Sequence, residues 1–332
     1  MKADTITKDY ISDTEVFSDI FNYYIYGGQQ VILPEQLEQR DPTEIALPYG
    51  ADGAVVPVQK FRDAQKLRTV MTDGKLEYVL YGTEAQAEIS NATPVRNNLY
   101  DALEYAGQVS EAAKSHRKAM KKEKEVSEHG KEISSKNKKE VSSGEFLSGF
   151  WDEDRLIPSV TVTIYFGTEE WTGPMSLFDM MDVKDPRVLA CVNDYKLHLI
   201  APARMSDEEI MKFQSSLREV LLFIKHSKNK EELDRILKEN EKRFKEVERR
   251  AVDVIEVITN AGLKYEESEE SIDMCQAIQE IRMEERRMGE LKKAEETARN
   301  LHAMGIDVDK IAKAVGYAVE TVKGWLGVSV DV

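Results

Sequence analysis

The pair Asp73-Gly74, set between two strand-like runs, constrains the fold of this chain more than any other sequence feature. It predicts a β-hairpin with a two-residue type I′ turn, because that turn needs positive φ at both central residues. Such a turn fixes the register of the two strands. Asp63 then lies directly opposite Glu84 on the same face of the sheet, with their Cβ atoms about 5 Å apart.

These two acids predict a metal site. Facing carboxylates repel each other across a sheet unless a cation lies between them. A divalent ion is the simplest such cation, since Mg²⁺ binds a few carboxylates together with water and phosphate oxygens. We therefore expect Mg²⁺ or Mn²⁺ at Asp63 and Glu84, with the backbone carbonyl of Ala85 placed to help. Asp19, in the first predicted helix, is an additional candidate ligand, and an ordinary exposed helix residue is the alternative.

Gln86 lies on the face of Glu84, two residues further on, and would point at an attacking water or a phosphate. An amide orients water by hydrogen bonds but does not carry a proton away as a base does. The general base is therefore unassigned. Arg96 follows the site at the start of the next predicted helix and is a candidate contact for a phosphate.

Composition excludes several classes of protein. The net charge of −15 over 332 residues argues against a uniformly basic nucleic-acid binder. Two cysteines, Cys191 and Cys275, fit a reducing cytoplasm and argue against a disulfide framework. No apolar run approaches the ~20 residues of a membrane span, and the N-terminus lacks a signal-peptide core. We expect a cytoplasmic protein with no membrane partner.

Positive charge is concentrated in a predicted insert at about residues 110–145. Ten Lys and Arg residues stand against five Glu residues between Lys114 and Glu140. One interpretation is a mobile, solvated linker, which is what charge runs usually are. The other is a basic arm that contacts DNA phosphates through Lys118, Lys121 and Lys122.

The order of predicted elements indicates an α/β fold with a mixed central sheet flanked by helices, followed by an α-helical C-terminal region. Asp13 or Thr14 is a candidate cap of the first helix, which ends at Gly27-Gly28. Residues 29–50 are predicted to be irregular. The predicted helices are 4–28, one from Pro94, one from Asp207, and 231–246, 248–260 and 272–304; the predicted strands are 60–71, 76–88, 160–165 and 195–200.

Residues 290–326 show the spacing of a helix-turn-helix. Ala312 lets two helices cross, Gly316 makes the turn, and Val322 anchors the second helix. If this motif reads DNA, Thr321 and Lys323 would lie near the start of the groove-binding helix. The alternative is a helical hairpin used for packing or self-association, which predicts a homo-oligomer formed through the C-terminal helices.

Three stretches of the chain resemble the putative transposases of the PD-(D/E)XK nuclease superfamily, also called recombination-promoting nucleases. They are residues 17–22 with the following Gly pair; residues 62–66, 80–86 and 93–103; and residues 163–167 with 171–174. The resemblance implies a restriction-endonuclease-like core that cleaves DNA, with Mg²⁺ bound by Asp63 and Glu84. The superfamily's usual Lys is a Gln in this family, as at Gln86, and Ala85 replaces the Asn or His often found there.

The predicted organisation is a nuclease-like domain at 1–205, a helical region at 206–285 and a helix-turn-helix-like tail at 286–332. The predicted function is a Mg²⁺-dependent DNA endonuclease. One alternative, kept open by Gln86, is a DNA-binding or regulatory protein that retains the fold without catalysis. A second is an interaction protein whose helical tail drives oligomerisation.

Overall fold

The computed structural model describes residues 2–40, 43–46, 58–72, 75–128, 141–266 and 268–327. The chain divides into two compact units. The first comprises Met1–Ile236 and Glu248–Ala261, and the second comprises Leu237–Val247 and Gly262–Val332.

The N-terminal region forms two helices, α1 (Lys2–Ser12) and α2 (Thr14–Tyr26), where the sequence predicted one. The break lies at Asp13, whose backbone is not helical (φ −56°, ψ 137°). Its carboxylate accepts hydrogen bonds from the N–H groups of Glu15 and Val16, which makes it the N-cap of α2. Of the two candidate caps, Asp13 is therefore the one confirmed, and the single continuous helix is wrong.

Within the described residues, five strands form one mixed sheet in the order β1-β4-β5-β6-β7. They are β1 (Leu37–Gln39), β4 (Ala64–Thr72), β5 (Lys75–Gln86), β6 (Ser159–Tyr165) and β7 (His198–Ile200). β1, β4 and β5 pair antiparallel, whereas β5, β6 and β7 pair parallel. The predicted α/β fold with a mixed sheet is confirmed, and β5 lies at the centre of the sheet.

A separate pair, β2 (Thr43–Ala46) and β3 (Val58–Phe61), lies outside this sheet. β1 and β2 fall in the stretch that we predicted to be irregular. β1 is only three residues long and mostly exposed, so it carries no hydrophobic alternation from which a strand can be predicted.

The hairpin register agrees with the prediction. β4 and β5 pair from Thr72 with Lys75 to Ala64 with Thr83. Asp73 and Gly74 themselves lie outside the described residues. The predicted strand at 60–71 is interrupted at Arg62-Asp63, so Asp63 directly precedes the last pair of the ladder and Glu84 directly follows it.

The long helix α3 (Thr93–Glu128) follows β5. It begins where predicted but continues far into the charged insert, whose first half is therefore helical. The short helix α4 (Ser143–Ser148) closes the insert, and residues 129–140 lie outside the described part of the chain.

Helices after β7 complete the first unit. The predicted helix from Asp207 is two helices, α6 (Asp207–Ile210) and α7 (Leu217–His226). Helix α1 packs against α10 (Arg249–Thr259), which packs against α7. The first compact unit therefore extends beyond the predicted boundary at residue 205. The remaining elements are α5 (Pro186–Leu189), α8 (Lys230–Glu239), α9 (Glu241–Phe244), β8 (Val247–Glu248) and β9 (Ser271–Ile272).

The second unit contains α11 (Met274–Ala303), α12 (Val308–Val315) and α13 (Val319–Leu326). These three helices share a small core of Ala298, Ile311, Ala312 and Val322. Gly316 has a φ of 76° and ends α12, as the helix-turn-helix spacing predicted. The helical C-terminal region is confirmed. In the parts of the chain that the structure covers, we find no helix with both the length and the apolar character needed to cross a lipid bilayer.

Candidate functional site

Asp63 is held between a backbone donor and an ammonium group. Its Oδ2 accepts a hydrogen bond of 2.8 Å from the N–H of Ala85, and its Oδ1 lies 3.1 Å from Lys8 Nζ. The bond from Ala85 continues the hydrogen bonding of the β4–β5 hairpin beyond its last backbone pair. The Asp63 carboxylate takes the place of a backbone partner here, because β4 starts only at Ala64. The predicted ligand at Ala85 was its carbonyl, whereas the contact that the structure shows is through its N–H.

Glu84 is buried beside Asp63 with one oxygen unused. Glu84 is 4% exposed, and its Oε1 has no hydrogen-bond partner. Its Oε2 lies 3.9 Å from Arg96 Nε, which is too long for a hydrogen bond. Leaving a buried carboxylate oxygen without a partner costs free energy. The position therefore favours a ligand that would bind this oxygen.

Burial raises the pKa of both carboxyl groups, and different neighbours act on each of them. Burial, followed by the charge of Asp63, raises the pKa of Glu84 to about 8. Burial also raises the pKa of Asp63, but the N–H of Ala85 and the charge of Lys8 oppose that shift. At neutral pH burial therefore favours the protonated form of Glu84, beside the carboxyl group of Asp63 that Lys8 contacts.

The donor set fits a hard divalent cation. Carboxylate oxygens are what Mg²⁺ and Mn²⁺ prefer, and Mg²⁺ commonly takes one or two carboxylates and fills its other positions with water and phosphate oxygens. Among the described residues, no group of three or more His, Cys, Asp or Glu side chains could hold a metal ion. Within the described part of the chain, the carboxylates that we expect to hold the ion are those of Asp63 and Glu84.

Asp19 is buried and binds the segment before α7 through one of its carboxylate oxygens. It is 2% exposed, and its Oδ2 accepts hydrogen bonds of 2.8 Å each from the N–H groups of Gln214 and Ser215 and from the Ser215 hydroxyl. The exposed helix residue is therefore wrong. The additional ligand stays a prediction, since Asp19 Oδ1 is buried and has no hydrogen-bond partner. The buried face of α2 directs Asp19 into the segment before α7, where it binds two backbone donors.

Asp19→Ala is therefore expected to destabilise the protein, and its affinity for Mn²⁺ decides whether Asp19 is also a ligand. Three hydrogen bonds to one charged oxygen disappear, and the expected loss is about 2–4 kcal/mol in the free energy of unfolding. Urea denaturation measures the loss, and calorimetric titration with Mn²⁺ measures the affinity. A weakened Mn²⁺ affinity in a folded Asp19→Ala protein would place Asp19 in the metal site after all.

Gln86 contacts the start of α3. It is 7% exposed, and its Nε2 donates to Thr93 Oγ1 at 3.0 Å. The Thr93 hydroxyl in turn donates to the Ser90 carbonyl at 2.7 Å. We predicted that Gln86 orients water or phosphate, but the structure gives its amide a contact that positions the first residue of α3.

The predicted DNA contacts are spread over the chain. Arg96 lies in the first turn of α3 beside Glu84, and its side chain is 37% exposed. Lys118, Lys121 and Lys122 are exposed on the same helix, with Lys118 about 33 Å further along its axis at 1.5 Å per residue. In the second unit, Thr321 is exposed on α13 and Lys323 is half-buried. Arg96 is the one predicted contact for which an ion pair with the acidic site is observed.

Sequence reasoning missed a buried network next to the site. The Arg62 side chain is fully buried, and its Nη2 lies 2.9 Å from Asp101 Oδ1. A Cβ added to Gly82 would lie 2.5 Å from Arg62 Nη1, so this strand position is open only to glycine without a shift of Arg62. Glycine inside a strand often marks such a close approach, and this was the signal that could have revealed the network.

The fold and this site together define an α/β protein with a two-carboxylate site at the end of its central strand. Residues 150–254 match the family model described as putative transposase, YhgA-like. The match agrees with the resemblance of the motifs to the PD-(D/E)XK nuclease-like putative transposases. The matched residues begin after Asp63 and Glu84, so the match does not depend on the acidic pair. No curated protein and no solved structure matches the chain.

Proposed function

We propose that this protein is a DNA endonuclease that depends on Mg²⁺ or Mn²⁺ and binds the ion through Asp63 and Glu84. The match of residues 150–254 to the putative transposase model supports a nuclease-like or transposase-like role in general. The observation that carries the specific proposal is the buried Glu84 Oε1, which has no partner and belongs to a carboxyl group beside Asp63.

When bound, the divalent ion would supply Lewis-acid polarisation of a phosphate oxygen and lower the pKa of a water molecule. The chain's own residues would orient the ligands and the phosphate and would balance their charge. The N–H of Ala85 fixes the carboxylate of Asp63, and Glu84 must lose its proton before it can act as a ligand. Arg96 places a half-exposed guanidinium beside the pair, where it can bind a phosphate.

Cleavage of supercoiled plasmid DNA in Mg²⁺, in Mn²⁺ and in EDTA tests the proposal. We expect nicking with either metal and none in EDTA. Asp63→Asn keeps the shape of the side chain but removes its charge, so the rate should fall by about 100- to 1,000-fold, the scale of losing one electrostatic stabiliser from an active site. Asp182→Asn changes an exposed aspartate and is the matched control. Equal cleavage by wild type and Asp63→Asn would refute the assignment.

The contact between Gln86 and Thr93 supports a second candidate, a DNA-binding protein that keeps the fold without catalysis. Gln86 follows Ala85 on strand β5, so this position carries no cationic or basic side chain. Its amide is bonded to Thr93. Calorimetric titration separates the two proposals. Binding of Mn²⁺ that disappears in Asp63→Asn favours the endonuclease, and DNA binding without any Mn²⁺ binding favours the alternative.

A further inference from the structure

We propose that Lys8 is the phosphate-contacting cation of this site and that its ammonium neutralises Asp63 while no metal ion is bound. The inference rests on the proposed function. It adds to the site a residue of α1, which is far from the hairpin in sequence. Its starting point is the 3.1 Å ion pair between Lys8 Nζ and Asp63 Oδ1.

Lys8 lies at the border between the buried acids and solvent. Its side chain is 39% exposed, whereas that of Asp63 is 8% exposed. The ammonium is also 3.1 Å from Asp4 Oδ2, one turn earlier on α1, and the Asp4 side chain is 59% exposed. Lys8 therefore has a second partner toward solvent and is accessible to an incoming anion.

The backbone that carries Lys8 is fixed, while its side chain is long and flexible. Tyr10 and Ile11, on the buried face of α1, are 2% and 0% exposed, and the Tyr10 hydroxyl lies 3.0 Å from Ser216 Oγ. A lysine has a four-carbon stem and acts as a compact point charge. Its ammonium can therefore move by a few ångströms without any movement of the helix.

The other cations near the pair are placed differently. Arg62 is fully buried and bound to Asp101, so it cannot reach a substrate. Arg96 lies beside Glu84 rather than Asp63. Among the residues that the structure describes, Lys8 and Arg96 are thus the partly exposed cations with ion pairs to these acids, one for each carboxylate.

Charge balance connects these positions to a phosphate. Without a metal ion, Lys8 balances the negative charge of Asp63. A divalent ion at Asp63 repels the ammonium, so the two compete for the same oxygen. A nucleic-acid phosphate brings the negative charge that the ammonium then requires, and such charge-assisted contacts are strong in a partly desolvated site.

This arrangement predicts two opposite effects of Lys8→Met. Removing a positive charge next to the acids should tighten Mn²⁺ binding in the absence of DNA by about 10-fold. Removing a phosphate contact should slow plasmid nicking at saturating Mn²⁺ by about 100-fold. A residue that only supports the fold would not tighten metal binding while slowing cleavage.

The experiment uses the full chain, with Mn²⁺ affinity measured by calorimetry and nicking measured on supercoiled plasmid. Lys8→Arg keeps the charge and should retain wild-type Mn²⁺ affinity and most of the rate. Lys184→Met removes one exposed positive charge elsewhere and is the control for net charge. Thermal denaturation tests whether each variant is folded. If Lys8→Met does not fold, Lys8→Gln serves as a second neutral variant.

The possible outcomes are distinct. Tighter Mn²⁺ binding together with slower nicking in the neutral variant supports the inference. A neutral variant that nicks at the wild-type rate, or that binds Mn²⁺ no more tightly than wild type, overturns the role of Lys8 and leaves the proposed function standing. A wild type that binds no Mn²⁺ overturns the proposed function, and the role of Lys8 with it.

Discussion

Glu84→Gln is expected to make the metal-free protein more stable above pH 8 while it removes one of the two carboxylates that we propose as metal ligands. The amide has nearly the shape of the protonated carboxyl group but does not ionise. It therefore avoids the cost of a charge that is buried next to Asp63. The gain in the free energy of unfolding should reach at most about 5 kcal/mol, from 1.36 kcal/mol per pKa unit.

The direction in which stability changes with pH follows from the direction of the pKa shift of Glu84. The pKa of Glu84 rises from 4.5 to about 8, mainly through burial and then through the charge of Asp63. Between these two values the folded protein holds a proton that the unfolded chain has released, so wild-type stability falls as pH rises through this window. Wild type and Glu84→Gln should be about equally stable near pH 4.5, and their difference should grow up to about pH 8.

Urea denaturation in EDTA at pH 5, 7 and 9 measures this difference. Glu38→Gln, an exposed glutamate on β1 of the same sheet, is the matched control and should follow wild type at every pH. A Glu84→Gln advantage that is the same at pH 5 and pH 9 would show that Glu84 does not resist ionisation in the fold.

Metal should reverse the order of stability. A ligand that binds only the folded state adds about 2.7 kcal/mol at 100 times its dissociation constant. Wild type should gain this stabilisation from Mn²⁺ at pH 8, and Glu84→Gln should gain none. The same carboxyl group would thus lower stability without metal and raise it with metal.

A residue that lowers the stability of the fold but serves a function is common at functional sites. Sequences generally avoid buried acids that face each other, and natural proteins depart from such local rules mainly where function requires it. Glu84 breaks two rules at once, because it is buried with an unpartnered oxygen and lies beside Asp63. This departure makes the end of β5 the best candidate for the functional site in the described structure.

Local sequence patterns predicted the hairpin and its register. An Asp-Gly pair between strand-like runs defines which residues face each other, and the observed pairs of β4 and β5 follow that register. The cap at Asp13 and the turn at Gly316 were likewise predictable, because each depends on residues within one helical turn. The mixed sheet followed from the order of helices and strands.

Contacts between residues far apart in sequence were not predictable in this way. Lys8 reaches Asp63 from α1, and Asp19 reaches Ser215 across 196 residues. One sequence contains no signal that brings such residues together. Gln86 was predicted to face a phosphate because the residue alternation of a strand gives the side of the sheet, but it does not show that Thr93 is near enough to bond the amide.

The break in the strand at Arg62-Asp63 also arises from a contact between residues far apart in sequence. A strand prediction continues through this position, whereas the structure ends β3 at Phe61 and begins β4 at Ala64. Arg62 turns into the interior, where Asp101 binds it, and this contact leaves Asp63 at the end of the ladder. The geometry of the acidic pair therefore depends on a buried ion pair as well as on the hairpin.

Asp101→Leu is expected to be the most destabilising substitution near the site. Asp101 Oδ1 accepts hydrogen bonds from Arg62 Nη2 at 2.9 Å, Ser159 Oγ at 3.0 Å and Thr161 Oγ1 at 2.9 Å, and its Oδ2 accepts one from the Tyr195 hydroxyl at 2.7 Å. Removing one partner of a buried ion pair leaves an uncompensated charge and costs about 3–5 kcal/mol.

The cost should come mainly from the abandoned charge of Arg62, and a double variant tests this. Arg62→Met with Asp101→Leu replaces both charges by apolar groups, and such replacements are often neutral or stabilising. We therefore expect the double variant to recover most of the stability lost in Asp101→Leu. Urea denaturation of wild type, both single variants and the double variant completes the cycle.

The same cycle reports on Asp63, which directly follows Arg62. If Arg62 and Asp101 position the acidic pair, each single variant that remains folded should bind Mn²⁺ about 10- to 100-fold more weakly, the usual effect of removing a supporting contact behind a metal ligand. Asp182→Asn, an exposed acid, should leave both stability and Mn²⁺ affinity unchanged. Equal stability of the double variant and Asp101→Leu would show that the cost arises from the three hydroxyl partners and not from the charge of Arg62.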